Sequence, residues 1–225
     1  MLWLNNLKVA ARGSALSKAQ VQEVLNLLQS FHPHMHFDPI WISTKGDKDL
    51  STSLKFMEKT NFFSKEVDEC LLSGECRIAI HSAKDLPRPL PEGLECVALT
   101  QGLDSSDSLV FRQDQSLESL PLFAKVGTSS IRRENNVLQL RSDLVIVDIR
   151  GTIEQRLQAL DEGAIDALVI AEAALIRLGL TWRNRIEIPG DCSEFQGQLA
   201  VLARQGDKEM ISLFACMDVG RLAIY

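Results

Sequence analysis

Residues 124–133 read AKVGTSSIRR, and this stretch joins a predicted strand, Ala124–Val126, to a predicted helix, Ile131–Leu140. The same order occurs near the start of the chain, where the predicted strand Leu7–Ala11 precedes the predicted helix Leu16–Gln29. Strands that alternate with helical segments are typical of α/β proteins. The other predicted strands are Phe37–Ile42, Arg77–Ile80, Glu95–Leu99, Asp107–Phe111, Leu144–Ile149 and Ala167–Ile170, and the other predicted helices are Ser64–Leu72, Ile153–Leu160 and Glu172–Leu178.

Two loop-like segments, Gln101–Ser106 and Pro189–Gly197, divide these elements into two groups. We interpret both segments as crossing points between two lobes with a ligand cleft between them. The expected first lobe comprises residues 1–100 and 197–225, and the expected second lobe comprises residues 104–193. Because the carboxyl ends of strands line the ligand crevice in open α/β folds, the strand-to-helix junctions are the candidate binding positions.

The composition is that of a globular protein, with 225 residues of which 45% are hydrophobic and 24% are charged. A net charge of −6 disfavours nucleic-acid binding, for which a basic surface is expected. No apolar stretch approaches the ~20 residues of a membrane helix, and the first ten residues do not read as a signal peptide. Five scattered cysteines without a C-x-x-C pair predict reduced thiols. We therefore expect a cytoplasmic protein without nucleic-acid or membrane partners, and we expect it to be a monomer.

Three strand-to-helix junctions combine small or hydroxylated residues with arginine. They are Arg12-Gly13-Ser14, the stretch Gly127–Arg133, and Arg150-Gly151-Thr152 with Arg156 one turn later. Free backbone N–H groups and the helix dipole attract anions at a helix N-terminus, and arginine binds carboxylate or phosphate through two parallel hydrogen bonds. The junctions therefore indicate a site for an anionic ligand.

Helix capping is the alternative explanation of these junctions. Ser14 and Thr152 are suitable N-caps, and Thr152 with Gln155 matches a capping box. The two explanations are compatible, since a cap uses only some of the free N–H donors at a helix start.

The run His81-Ser82-Ala83-Lys84-Asp85-Leu86-Pro87 follows the apolar strand Arg77–Ile80. Polar side chains directly after a buried strand suit the wall of a cleft, where an acid beside a base can stabilise a cation or transfer protons. The alternative is an exposed Lys–Asp pair on a loop, beside a structural His81.

A metal site is not expected from the histidines. His32, His34 and His36 share a period of two, which would place them on one side of a strand. Pro33 interrupts the run, and no nearby cysteine or carboxylate completes a ligand set.

In this order and spacing, the motifs resemble those of the hydroxymethylbilane synthase family, also called porphobilinogen deaminases. The resemblance extends from about residue 5 to residue 205, and it is carried by Arg12–Ser14, Ser43–Asp47, Phe63–Glu66, His81–Pro87, Val126–Arg133 and Arg150–Thr152. It implies two lobes like those of type II periplasmic binding proteins, plus a small third domain. It also implies a transferase of haem biosynthesis that condenses four porphobilinogen units to a linear tetrapyrrole with release of ammonia. Growth on a dipyrromethane cofactor, thioether-linked to a cysteine of the third domain, is implied as well.

The resemblance also implies roles for individual residues. Asp85 becomes the catalytic carboxylate, which would stabilise cationic pyrrole intermediates. The residues that the resemblance implies for cofactor binding are Ser82, Lys84, Thr128, Ser129, Ser130, Arg132, Arg133, Arg150 and Gly151. Substrate binding falls to Arg12, Ser14, Arg150, Arg156, Arg177 and Gln198.

The chain departs from the family pattern in two places. No cysteine follows two glycines, so we do not expect the family's Gly-Gly-Cys anchor or its third domain, and Cys192 and Cys216 are the alternative sulfur atoms. In the loop before Phe63, Thr60 stands at the family's lysine position, and Lys59 is one residue away. Two other hypotheses stay open: a non-catalytic binder of tetrapyrrole precursors or other polycarboxylates, and a solute-binding or effector-sensing domain with the same fold.

Overall fold

The structure is a computed structural model that describes residues 6–49 and 61–220 of the chain. The chain divides into two compact units. Among the described residues, the first unit contains 6–48, 61–103 and 197–220, and the second unit contains 49 and 104–196. Lys59 and Thr60, which bear on the predicted loop lysine, lie outside the described residues.

The described residues form alternating strands and helices. The strands are β1 (Asn6–Arg12), β2 (His36–Ile42), β3 (Ile78–Ser82), β4 (Leu94–Leu99), β5 (Asp107–Phe111), β6 (Lys125–Gly127), β7 (Val145–Val147), β8 (Ala167–Ala171), β9 (Arg185–Ile188) and β10 (Leu199–Arg204). The helices are α1 (Ala15–Gln29), α2 (Lys45–Lys48), α3 (Lys65–Ser73), α4 (Ile131–Leu140), α5 (Ile153–Asp161), α6 (Glu172–Arg177) and α7 (Lys208–Phe214), with short 3-10 turns at Asn61–Phe63, Ala83–Asp85 and Ala215–Met217. Within the described part of the chain, no helix combines the length and apolar character needed to cross a bilayer.

The first unit contains a five-stranded sheet in the order β2-β1-β3-β10-β4. Strand β1 pairs in parallel with β2 and β3, whereas β10 is antiparallel to β3 and β4. Helix α1 packs on this sheet because Val21, Val24 and Leu28 recur at helical spacing and form one buried stripe. They share a core with the fully buried Val9 and Phe214.

The second unit contains a five-stranded sheet in the order β7-β6-β8-β5-β9. Strand β6 pairs in parallel with β7 and β8, whereas β5 is antiparallel to β8 and β9. Every residue of β5 and β8 is buried, as expected for the inner strands of a sheet. Phe111, Val126 and Val137 form part of the core.

The α/β class predicted from the sequence is confirmed, with differences at individual elements. His81 and Ser82, expected to follow a strand, are the last two residues of β3. The predicted buried strand Leu144–Ile149 is the shorter β7, which is an edge strand with Val145 exposed. Four elements of the structure, α2, β9, β10 and α7, are absent from the prediction.

Candidate active site

A pocket lies in the first unit at the carboxyl ends of β1 and β3. These ends are adjacent because the two strands are parallel neighbours, with Val9 beside Ile78 in the register. The pocket is open to solvent and has a cavity volume of about 70 Å³. Its lining includes Arg12, Ser14, Gln20, Ser64, His81, Ser82 and Asp85. Two junctions that are about 70 residues apart in sequence therefore contribute to one site.

Asp85 is an open carboxylate on a fixed turn. It ends the 3-10 turn Ala83–Asp85, its side chain is exposed at the pocket, and it has no hydrogen-bond or ion-pair partner among the described residues. The backbone holds the turn, since Leu86 N–H donates to Ala83 O at 3.3 Å and Ala83 N–H donates to Gln198 O at 3.0 Å. The Gln198 side chain donates to Thr100 O at 3.0 Å. Gln198, predicted to bind substrate, thus supports the turn that carries Asp85.

Arg12, at the end of β1, is held by Asp47. The Arg12 Nε donates to Asp47 Oδ1 at 3.1 Å, and Arg12 Nη2 contacts the same oxygen. Asp47 Oδ2 accepts from the backbone N–H and the hydroxyl of Thr44 at 3.0 and 2.9 Å. Burial favours a raised pKa for Asp47, but the Arg12 and Thr44 hydrogen bonds outweigh it and lower this pKa below its ordinary value. The Arg12 guanidinium also lies 4.6 Å from the centre of the Phe63 ring. The Ser43–Asp47 motif therefore orients the arginine of the first junction.

The two predicted serines of this pocket both make structural hydrogen bonds. Ser14 is the N-cap of α1, and its Oγ accepts from Ser17 N–H at 3.2 Å. Ser82 Oγ accepts from Gln20 Nε2 at 2.8 Å, which ties α1 to β3. Capping and pocket lining thus coincide at Ser14, as the sequence allowed.

His81, which lines the pocket, forms a buried pair with Asp68. The distance from His81 Nε2 to Asp68 Oδ1 is 3.3 Å, and both residues are buried. Asp68 lies on α3, and nothing in the local sequence around His81 indicates it, because the two residues are 13 positions apart. The interpretation of His81 as a structural residue agrees with this burial.

The second unit has an arginine pair centred on Asp107. Arg132 Nη2 donates to Asp107 Oδ2 at 2.6 Å, and Arg133 donates to Asp107 Oδ1 from Nε at 3.0 Å and from Nη2 at 2.6 Å. Asp107 is 1% exposed. Its burial favours a raised pKa, but the two guanidinium groups outweigh this effect and lower the pKa of Asp107.

Further donors complete this cluster. Gln196 Nε2 donates to Asp107 Oδ1 at 3.0 Å and to Ser105 O at 2.7 Å, and Arg132 Nη1 also contacts Asp191 O. Sequence reasoning missed Asp107 and Gln196. The available signal was a carboxylate at the start of the predicted strand Asp107–Phe111, since a buried charge needs partners.

The hydroxyl groups of the 128–130 turn are engaged within the unit. Ser129 Oγ donates to Ile149 O at 2.5 Å, and Thr128 N–H donates to Val147 O at 3.0 Å. Ser130 is the N-cap of α4, and its Oγ accepts from Arg133 N–H at 3.4 Å. These bonds fix the backbone that presents Arg132 and Arg133.

The third junction shows the predicted capping box. The Thr152 side chain accepts from Gln155 N–H at 3.3 Å, and the Gln155 side chain accepts from Thr152 N–H at 2.9 Å. Gly151 has a φ of +103°, and its carbonyl oxygen accepts from Arg156 Nε at 2.9 Å. The remaining predicted residues are half-buried: Arg150 directly before this box, Arg177 at the end of α6, and Lys84 in the turn before Asp85.

Neither candidate cysteine lies in an activating environment. Cys192 and Cys216 are exposed. Partial burial raises the pKa of both thiols, and the Asp107 carboxylate raises that of Cys192 further. The histidines His32, His34 and His36 are exposed, and the described residues contain no group of three or more potential metal ligands.

The two units together define the class of protein as an α/β fold of the type II periplasmic-binding kind. A periplasmic substrate-binding protein of an ABC transporter from Coxiella burnetii aligns with a TM-score of 0.57 at 15% identity, over 97% of this chain and 94% of that chain. The methionine-binding protein MetQ aligns with a TM-score of 0.56 at 16% identity, over 93% and 88% of the two chains. At these identities the likeness shows the fold alone.

The sequence comparisons give the family. Residues 7–212 match the family model described as "Porphobilinogen deaminase, dipyromethane cofactor binding domain". The chain is 41% identical over 208 residues to a protein named "Probable porphobilinogen deaminase" from Chlamydia pneumoniae, covering 92% of this chain and 88% of the relative. It is 39% identical over 219 residues to the porphobilinogen deaminase of Streptococcus sanguinis strain SK36, covering 94% and 72%. The chain belongs to the porphobilinogen deaminase family.

Proposed function

We propose that this chain is a hydroxymethylbilane synthase, a transferase that joins four porphobilinogen units into a linear tetrapyrrole and releases one ammonia for each unit. The observation that carries the proposal is the unpartnered carboxylate of Asp85 in a pocket shared with Arg12, Ser14 and Ser82. Each of these residues lies within residues 7–212, which match the family model. We assign the catalytic carboxylate to the first unit and the arginine pair to the second unit.

Asp85 suits a reaction that passes through positive charge. When the C–N bond of porphobilinogen breaks, ammonia leaves with the bonding electrons and the pyrrole becomes cationic. A carboxylate ~4 Å from that charge, at an effective dielectric constant of ~20, contributes about 4 kcal/mol or roughly 10³ in rate. Because Asp85 makes no competing ion pair among the described residues, its full charge is available to the ligand.

The substrate's carboxylates need cationic partners. Arg12 is oriented by Asp47 and Phe63, and it lies beside the N-terminus of α1. A helix N-terminus and a fixed guanidinium group both favour a bound carboxylate. In the proposed reaction these groups hold the acetate or propionate group of porphobilinogen, so that the reacting carbon lies near Asp85.

The donor set of the second unit fits the acidic dipyrromethane cofactor named by the family model. Arg132 Nε is a buried donor without a hydrogen-bond partner among the described residues, and Arg132 and Arg133 lie at the N-terminus of α4. These residues, with Ser129 and Arg150, would hold cofactor carboxylates. When bound, this group supplies the pyrrole carbon to which the first substrate unit is added.

The proposal is tested by incubating the purified protein with porphobilinogen and measuring its consumption and the ammonia released. We expect the Asp85→Asn variant to lose about 10³-fold in rate, with wild-type unfolding behaviour. Asp38→Asn is the matched control, because Asp38 is an exposed aspartate of the same unit. Full activity of the Asp85→Asn variant would remove Asp85 from the mechanism. Saturable binding of porphobilinogen by the wild type without ammonia release would support the alternative of a non-catalytic polycarboxylate binder.

Two accompanying expectations have separate tests. We propose a cytoplasmic monomer without nucleic-acid or membrane partners, and size-exclusion chromatography with light scattering measures the oligomeric state. The intact mass after native purification shows whether a cofactor is covalently attached. If the mass is increased, peptide mapping identifies whether Cys192 or Cys216 is the attachment site. The raised pKa of both thiols leads us to expect the unmodified mass.

A further inference from the structure

The arginine pair of the second unit lies where positive charge is unfavourable. Arg132 and Arg133 are adjacent in the first turn of α4, and the positive end of the helix dipole disfavours cations there. Both guanidinium groups nevertheless converge on the buried carboxylate of Asp107, at contact distances of 2.6 Å. Two cations and one anion leave the cluster with a net charge of +1, so it retains attraction for one further carboxylate.

The geometry leaves part of this pair available. Arg133 uses Nε and Nη2 on Asp107 Oδ1, and its Nη1 has no hydrogen-bond partner in the described part of the chain. The Arg133 side chain is 14% exposed and that of Arg132 is 23% exposed. A guanidinium group has five N–H donors in a rigid plane, so fixing one edge on Asp107 also fixes the direction of the other edge.

Stability alone does not explain three charges at this point of the core. Replacement of a buried ion-pair cluster by apolar side chains of similar volume is often neutral or stabilising. Asp107 also accepts from Gln196 Nε2 at 3.0 Å, so three side chains depend on its two oxygen atoms.

We infer that Asp107 is a positioning residue for ligand recognition, which holds the outer guanidinium edge of Arg133 in place for a carboxylate of an acidic pyrrole. The inference rests on the proposed function for the choice of ligand. Asp107 acts through the arginines and does not itself contact the ligand.

The test uses porphobilinogen as the probe, because it carries acetate and propionate groups like those of the cofactor, and it measures the Kd by isothermal titration calorimetry. In the wild type, the two carboxylate oxygen atoms of Asp107 accept from Arg132, Arg133 and Gln196. The Asp107→Asn side chain offers these donors one oxygen atom, and its NH₂ group faces a guanidinium group. We therefore expect the Asp107→Asn variant to bind about 10-fold or more weakly. Asp161→Asn is the matched control, because it removes another aspartate–arginine pair of the same unit, Asp161–Arg183, and should leave the Kd unchanged.

A double-mutant cycle with Arg133→Lys distinguishes a positioning role of Asp107 from a purely structural role. We expect Asp107→Asn to weaken binding less in the Arg133→Lys background than in the wild type. The reason is that Arg133→Lys has already removed the guanidinium group that Asp107 orients. Unchanged Kd in a folded Asp107→Asn protein, or equal effects in both backgrounds, would overturn the inference. If the Asp107→Asn variant does not fold, the Asp107→Glu variant tests the inference instead, because it keeps the negative charge and moves the oxygen atoms. Wild-type affinity of the Asp107→Glu variant would also overturn the inference.

The same titration separates the two proposals. A wild type that binds porphobilinogen without releasing ammonia refutes the proposed enzyme, while the comparison of Kd values still decides the role of Asp107. A wild type that does not bind porphobilinogen overturns both.

Discussion

Gly127, the last residue of β6, is packed closely against the side chains of Ile149, Ile165 and Leu168. A Cβ atom at this position would lie 2.8 Å from Ile165 Cδ1 and 3.2 Å from both Ile149 Cγ2 and Leu168 Cδ1. Carbon atoms pack favourably at about 3.5–4.0 Å, so the ends of these three side chains would have to shift. Overpacking of this kind typically costs about 1–3 kcal/mol, and we expect that loss for Gly127→Ala.

The assay is urea denaturation followed by circular dichroism. With an m value of about 2 kcal/mol/M, the expected loss lowers the urea midpoint by about 0.5–1.5 M. Gly13→Ala is the control, since a Cβ there meets nothing closer than Trp41 Cβ at 3.9 Å. We expect its midpoint to stay at the wild-type value or rise slightly. A wild-type midpoint for Gly127→Ala, or an equal loss in Gly13→Ala, would refute the packing argument.

Two further predictions concern a cap and a carboxylate. Thr152→Ala breaks the capping box with Gln155 and should lower the free energy of unfolding, measured by urea denaturation, by about 1 kcal/mol. Thr152→Ser should keep most of the wild-type stability, and equal urea midpoints for the two variants would contradict the prediction. The pKa of Asp47 is lowered in the folded state, because the Arg12 and Thr44 hydrogen bonds outweigh its burial, so the ionised carboxylate contributes stability above the unfolded-state pKa of about 3.9. This stability is lost as the pH falls through the lower folded-state pKa. Between pH 5 and pH 2 the free energy of unfolding should therefore fall more for the wild type than for Asp47→Asn. Parallel pH profiles of the two proteins would count against the ion pair between Asp47 and Arg12.

Local signals in the sequence predicted much of the fold and part of the site. The caps at Ser14 and Thr152 were predicted because a cap depends on residues within one turn. The turn that carries Asp85 was predicted as part of a cleft wall because polar residues follow an apolar strand there, and Asp85 does line the pocket. Strand β10 was missed although it is buried like β5 and β8, because a short apolar run does not by itself distinguish a strand from a helix.

Non-local partners explain what the sequence did not reveal. Asp107 meets Arg132 and Arg133 about 25 residues later and Gln196 about 90 residues later, and no short window contains these pairs. The arginines were therefore predicted as ligand-binding groups, whereas in the structure Arg133 commits Nε and Nη2 to Asp107, and Arg132 contacts both Asp107 and Asp191 O. Their binding roles stay a prediction.

The position of β10 has a consequence for synthesis of the chain on the ribosome. This strand comes after the whole second unit in sequence, yet it lies between β3 and β4 in the first sheet. While residues 104–196 emerge, β3 and β4 lack the neighbour that joins them, and their edges carry unsatisfied N–H and C=O groups. The residues of the second unit are all synthesised before β10, so the second unit can fold while the first sheet still lacks this strand.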